Sequence, residues 1–207
     1  MNVLIGCEES QVVCQAFRDL GHNAFSCDLQ PTRGNPEWHY QGNIMDAMHE
    51  TGYFEAVNLD LIILHPDCTA MALSGNRWYG RDMPHNDKRI KSVEWTLKLW
   101  ELALKRSDRV CLENPKSVIF PFLRDIGHIV QYIQPWMFGH TENKETGLCL
   151  HGLPNLKPTN DVSHLMVNMS KAETDKIHRM PPSPTRKRDR SVTYQGIANA
   201  MANQWSK

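Results

Sequence analysis

Leu61-Ile62-Ile63-Leu64-His65-Pro66-Asp67-Cys68-Thr69 decides the fold. Four consecutive apolar residues read as a strand buried on both faces, the pattern of a parallel sheet covered by helices. Pro66 cannot donate to a ladder and stops the strand. Cys68 is therefore delivered just past its carboxyl end, where open α/β sheets bind ligands. Arg109-Val110-Cys111-Leu112 has the same form and runs into Glu113-Asn114-Pro115. A thiol and a carboxylate at the ends of two such strands predict one active site.

The preceding residues supply a βαβ unit. Val3 to Cys7 reads as a strand, and Glu8-Glu9-Ser10 as a turn in which Ser10 is placed to cap a helix. In Gln11 to Leu20, Val12, Val13, Ala16, Phe17 and Leu20 recur at helical spacing, before Gly21 ends the run. Asn23 to Cys27 is a second strand finishing in Asp28, an acid about twenty residues after the glycine of the first turn. In nucleoside-binding folds such an acid hydrogen-bonds ribose hydroxyls. The turn holds one glycine and two carboxylates, so it repels rather than cradles a pyrophosphate. It suits a cofactor without phosphates, such as S-adenosylmethionine, unless these acids only decorate a solvated turn.

Further along, residues 31–40 read as a polar loop. Gly42 to Asp46 reads either as a third strand tip, with Asp46 meeting a cofactor amine and Ile44 or Met45 on an adenine face, or as a plain helix cap. Residues 70–87 read as an irregular loop, with Ser74-Gly75-Asn76 among its breakers, in which Arg77, Trp78, Tyr79 and Arg81 either suit base stacking and phosphate contact or belong to a packed surface loop. Lys88 to Arg106 is an amphipathic helix with Trp95 and Trp100 assigned to the core. A helix follows at Val118 to Leu123, broken by Pro121, and then a strand at 129–133. A late hairpin is expected between 135–140 and 146–150. Residues 152–190 are Pro-rich, with one short helix at 171–179 and one dense basic cluster, Arg186-Lys187-Arg188-Asp189-Arg190, which reads either as a phosphate holder or as an ordinary solvated turn. Ile197 to Trp205 closes as a helix docked on the sheet.

The 23 basic residues balance the 23 acidic ones, so overall charge gives no argument for nucleic acid, and local basic clusters must carry it. No apolar run is long enough for a membrane span, and Met1-Asn2-Val3 opens on a strand without a charged leader, so a cytoplasmic protein is expected. The six cysteines include no C-x-x-C pair. His65 and Cys68 lack a second ligand pair, and no metal is expected. The length suits one domain, 1–207, of doubly wound α/β class with a mostly parallel, Rossmann-like sheet and the late antiparallel hairpin.

Pro66-Asp67-Cys68-Thr69 followed by Glu113-Asn114-Pro115 resembles the Pro-Cys and Glu-Asn-Val signatures of DNA cytosine-5 methyltransferases, in particular their short, phage-type members. Residues 135–149 and Ser191 to Ala198 resemble the carboxyl-terminal region of that group. The resemblance implies DNA as partner, S-adenosylmethionine as cofactor, and the host cytoplasm as location if the chain is phage-encoded. It implies that Cys68 attacks carbon 6 of cytosine, that Glu113 engages ring nitrogen 3 and the exocyclic amine, that Asn114 orients Glu113, and that Pro66 holds the Cys68 loop. The cofactor set expected from the βαβ unit and the resemblance is Gly6, Cys7, Glu8, Glu9, Ser10, Asp28, Leu29, Ile44, Asp46, His65 and Asn199. The substrate set is Ser74, Arg77, Trp78, Lys144, Arg186 and Arg188.

Three departures stand out. Pro115 replaces the family's Val, no Gln-x-Arg-x-Arg motif is present, and residues 152–190 stand where the family carries a target-recognition domain. A short or relaxed target sequence follows. Two rivals share the fold: an amino-methyltransferase acting on adenine or cytosine, with His65 to Cys68 at its Asp/Asn-Pro-Pro-aromatic position, and a nucleic-acid-binding protein without catalysis.

Overall fold

The computed structural model describes residues 1–207. Seven strands, β1 (Asn2–Gly6), β2 (Asn23–Asp28), β3 (His39–Gln41), β4 (Leu61–Leu64), β5 (Val110–Pro115), β6 (Ile129–Ile133) and β7 (Thr146–His151), form one sheet. Its order is β3-β2-β1-β4-β5-β7-β6. The first five strands run parallel, and β7 runs antiparallel to both β5 and β6. This is the mostly parallel, doubly wound α/β class expected from the sequence.

Alternation along the strands divides the interior in two. Val3, Ile5, Leu61, Ile63 and Leu148 face α1 (Val12–Asp19) and the terminal helix (Gln195–Trp205), which bring Phe17, Met201 and Trp205. Leu4, Ile62, Leu64 and Leu112 face α2 (Ile44–Met48), α4 (Asn86–Arg106) and α5 (Ile119–Asp125), which bring Met48, Trp100 and Phe120. All four residues of β4 are buried because both of its faces are covered. The remaining helices are short: α3 (Asn76–Tyr79) follows the Cys68 loop, and α6 (Lys171–Thr174), α7 (Lys176–Arg179) and α8 (Arg186–Ser191) lie in the Pro-rich segment, which makes the terminal helix α9.

Several elements differ from the sequence expectation. The third strand comes from His39–Gln41, inside the expected loop, and pairs Ser26 with His39. Asn43 caps α2 by accepting from the Met45 amide at 2.9 Å, so Asp46 stands in a helical first turn and not at a strand tip. The hairpin is β6–β7; Pro135–Met137 is a single 3-10 turn, since Pro135 has no N–H to give a ladder. Pro121 lies within the first turn of α5, where its missing N–H has no helical acceptor to lose, and does not break it. Trp100 is buried as expected, whereas Trp95 is exposed. The helix expected at 171–179 is two short ones, and the basic cluster is helical.

Register sets the site. Gly6 pairs with Leu64, and Leu64 with Leu112. The next residues, Cys7, His65 and Glu113, therefore stand in one row across the strand ends, and the His65 amide still donates to the Gly6 carbonyl at 2.9 Å. Gly6 is required by packing: a Cβ there would stand 2.8 Å from Leu64 Cδ2 and 3.0 Å from Ile44 Cγ1. Gly6→Ala is expected to cost about 1–3 kcal/mol, read as a lower urea midpoint at unchanged m-value.

Candidate active site

Beyond β4 the chain turns sharply. Asp67 Oδ1 accepts from the Thr69 amide at 3.0 Å and the Thr69 hydroxyl at 2.6 Å, and the amides of Met71 and Ala72 both donate to the Cys68 carbonyl. Arg89, buried on α4, donates to the carbonyls of Ala70 and Ala72 and to the Asn76 side chain. This arginine anchors the loop that carries the thiol. Cys68 itself is half-buried. Burial pushes its pKa up, Asp67 and Glu113 add to the rise, and Lys144 opposes it, so the resting group is a thiol.

Glu113 meets His65 across the row: Nδ1 of His65 lies 2.8 Å from Oε2 of Glu113, with both side chains about nine-tenths buried. Burial alone pulls the His65 pKa down, but the hydrogen bond and charge of Glu113, with the charge of Glu8, raise it above the ordinary value. Burial alone lifts Glu113, and His65 with Lys144 outweighs it and holds the carboxyl below its usual range. The two form an ion pair with one proton between them. His65 Nε2 is buried without a partner. Asn114 does not orient Glu113; its amide donates to the Pro66 carbonyl at 2.9 Å, tying β5 to the Cys68 loop, because the next strand position points to the opposite face.

A cavity of about 610 Å³ opens over these groups. Its floor includes Cys7, His65, Pro66, Cys68, Glu113 and Asn114; Ser74 and Lys144 stand at its sides, and Arg186, Lys187 and Arg190 form a wall. Ser74, Lys144 and Arg186 of the expected substrate set are thus brought to the cavity. Arg77 and Trp78 are not: they stack on each other, 5.5 Å from guanidinium carbon to ring centre, with Trp78 exposed on α3. Arg188 turns away to Glu9 at 2.8 Å.

A second, smaller cavity of about 50 Å³ adjoins, lined by Cys7, Glu8, Glu9, Ser10, Asp28, His65, Ser191 and Thr193. Six of the expected cofactor residues converge here. Gly6 lies beneath, Ile44 is packed in the core, Leu29 is exposed, Asp46 lies on α2, and Asn199 faces solvent on α9, bonded to Gln195. Ser10 does not cap α1. Glu8 does: its carboxylate accepts from the amides of Val13 at 2.7 Å and Cys14 at 3.2 Å, because Gln11 enters the helix in a left-handed conformation and swings the first turn toward Glu8. Burial pushes the Glu8 pKa up. Burial also acts upward on Glu9, but bonds from Arg188 and Arg33 prevail and hold its carboxyl low. Asp28 keeps one oxygen free after accepting from the Gln30 amide. No three His, Cys, Asp or Glu side chains are grouped to hold a metal ion, and no helix is long and apolar enough to cross a membrane.

No family model and no curated protein matches this sequence. Solved structures do match. The Entamoeba histolytica methyltransferase EhMeth superposes with a TM-score of 0.55 at 13% identity, over 78% of this chain and 57% of its own. The likeness is one of fold: this chain shares the α/β architecture of that methyltransferase. The Schizosaccharomyces pombe Dnmt2 methyltransferase gives 0.49 at 16% identity over 83% and 57% of the two chains, and a Spodoptera frugiperda DNMT2 variant gives 0.45 at 15% over 75% and 52%. This chain thus spans little more than half the length of each.

Sequence reasoning missed Arg89, Ser191 and Thr193 as site residues, and marked Lys187 and Arg190 only as members of the basic cluster. Arg89 was findable, since it shares a helical face with Val93, Thr96 and Trp100 of α4. Arg89→Met is expected to free the loop, raising the alkylation rate of Cys68 by iodoacetamide several-fold, with Cys68→Ser as background.

The ion pair has a pH signature. Glu113 adds stability above the ordinary 4.5 and loses it as pH falls through its lowered value; His65 adds stability below the ordinary 6.5 and loses it as pH rises through its raised value. The Tm difference between the native chain and Glu113→Gln should therefore be widest between pH 4.5 and 6.5 and shrink on either side.

Proposed function

We propose that this protein is an S-adenosylmethionine-dependent DNA cytosine-5 methyltransferase acting through a covalent Cys68 adduct. The observation that carries the reading is the convergence of Cys68 with the His65–Glu113 pair in one cavity at the strand ends of a methyltransferase fold. An amino-methyltransferase has no use for a thiol opposite a buried carboxylate. Cytosine C5 does, because it becomes nucleophilic only once a thiolate has added beside it.

In this mechanism the Cys68 sulfur bonds to C6, and the C5–C6 electron pair moves toward C5. N3 takes the proton held between His65 and Glu113, and the thiol proton replaces it on the pair. Asn114 and Pro66 keep the thiol in register with Glu113, and Lys144 offsets the charge that develops beside both. S-adenosylmethionine, when bound, supplies an electrophilic methyl group to C5. Solvent in the open cavity takes the C5 proton, the C5–C6 double bond re-forms as Cys68 leaves as a thiolate, and the N3 proton returns through the His65–Glu113 pair, restoring the thiol.

The small cavity supports that cofactor by its chemistry: carboxylates without a phosphate cradle, and Asp28 at the end of β2 with an oxygen free for ribose hydroxyls. At about 50 Å³ it is far below a ligand-sized site, so the Arg188–Glu9 bridge and Ser191 must yield on binding. DNA as substrate is supported by the basic cavity wall and by the exposed Arg77–Trp78 pair. A short or relaxed target is supported by residues 152–190, which carry only short helices, the longest being α8 at their end, and contribute no strand beyond β7.

Nucleoside mass spectrometry of DNA incubated with the protein and S-adenosylmethionine should show 5-methylcytosine. Cys68→Ala should abolish it, and Glu113→Gln should slow it about 100-fold or more. Folded, cofactor-bound protein that yields none overturns the reading, and N4-methylcytosine or N6-methyladenine surviving Cys68→Ala assigns amino-methyl transfer instead.

A further inference from the structure

The wall of the large cavity carries charge that the methyl-transfer chemistry does not use. Lys144, Arg186, Lys187 and Arg190 line it, against only two carboxylates, Asp67 and Glu113. Both carboxylates are already matched: Asp67 by Lys187 at 2.9 Å, Glu113 by His65. Lys144 donates to the Arg190 carbonyl at 3.0 Å and faces the Tyr194 ring. Arg186 donates only to the carbonyls of Met180 and His178, which carry no countercharge. Arg190 is half-buried and lines the cavity, and its guanidinium makes no hydrogen bond to any protein acceptor. In a chain whose formal charge is zero, this is a local excess of positive charge opposite the thiol.

The wall is also held in place. Arg186 and Arg190 are four residues apart, on one face of α8. From the same short helix, Arg188 bonds Glu9, Asp189 bonds Arg33 at 3.2 Å, and Lys187 bonds Asp67. These ion pairs moor α8 to the first turn, the loop after β2 and the Cys68 loop, and the Asp189–Arg33 and Lys187–Asp67 pairs keep it there when the Arg188–Glu9 bridge yields to the cofactor, so Arg186 and Arg190 stay at the cavity. Guanidinium groups so presented match a phosphate. A cavity of about 610 Å³ is of small-molecule size and takes a single nucleotide, with no room for a stacked duplex.

We propose that Arg186 and Arg190 form a phosphate subsite for the nucleotide whose pyrimidine ring faces Cys68, so that the segment around α8 clamps one nucleotide by its phosphate. The proposal rests on the reading of Cys68 as facing a pyrimidine. The phosphate belongs either to a nucleotide in a single strand or to a free nucleotide, and the two share the same contact chemistry.

Calorimetric titration of the full chain with deoxycytidine 5′-monophosphate and with deoxycytidine tests it. The monophosphate should bind about tenfold tighter than the nucleoside at low salt. Arg190→Gln should erase that preference, Arg190→Lys should restore part of it, and Lys98→Gln, on the exposed face of α4, should leave it unchanged. Equal binding of the two probes, no binding of either, or a preference that survives Arg190→Gln in a variant with native circular dichroism overturns the subsite. The trinucleotide dT-dC-dT identifies the source: tighter binding than the monophosphate assigns the phosphate to a strand, and equal or weaker binding assigns it to a free nucleotide. A failed methyl-transfer reading looks different, with phosphate preference intact and no methyl incorporation.

Discussion

The register that sets the ends of β1 and β4 beside Glu113, where β5 runs on past them, is the constraint on which the site depends. Helices cover both faces of these strands, so polar groups are excluded along their shared length and concentrated in the row just past the ends of β1 and β4. In that row His65 and Glu113 lie close enough for a 2.8 Å hydrogen bond, and Cys7 begins the turn toward the smaller cavity. Their burial makes each group costly to charge alone, and the pair resolves the conflict by sharing a proton. A single-residue slip of β4 against β5 would leave two buried, unmatched groups. Register and site chemistry thus reinforce each other.

The same logic explains how much of the first turn is structural. Glu8 and Glu9 look alike in sequence, yet one caps α1 from within the protein and the other gathers Arg33 and Arg188. Glu9 therefore links the first βαβ unit to a helix almost 180 residues later. Through that link the late basic segment becomes part of the wall of the site, even though it contributes no strand and little core.

The architecture was legible because it follows from local patterns. The apolar run Leu61–Leu64, the helical spacing from Val12 to Leu20 and the strand ending in Asp28 each declare their element without reference to the rest of the chain. Where local signals were ambiguous, packing decided. Ile44-Met45 could extend as a strand or coil as a helix, and burial of Ile44, Ala47 and Met48 on one face selected the helix. Ile129–Ile133 pairs with β7, while Pro135 turns the chain, because only the former can offer a continuous row of N–H donors.

The sequence by itself determined the sheet class, the delivery of Cys68 and Glu113 to neighbouring strand ends, and a turn unsuited to phosphate, since each depends on residue type and short-range spacing. Only the tertiary structure decided the partners. That His65 joins Glu113, that Asn114 holds Pro66, that Arg89 anchors the thiol loop, and that Arg188 leaves the cavity while Arg190 stays in it are long-range pairings. Such pairings depend on register and on the face a side chain occupies, and a shift of one residue reverses both. In Arg186-Lys187-Arg188-Asp189-Arg190 the charges are visible in the sequence, but only the folded chain sorts them into those that moor a helix and those left to meet an anion.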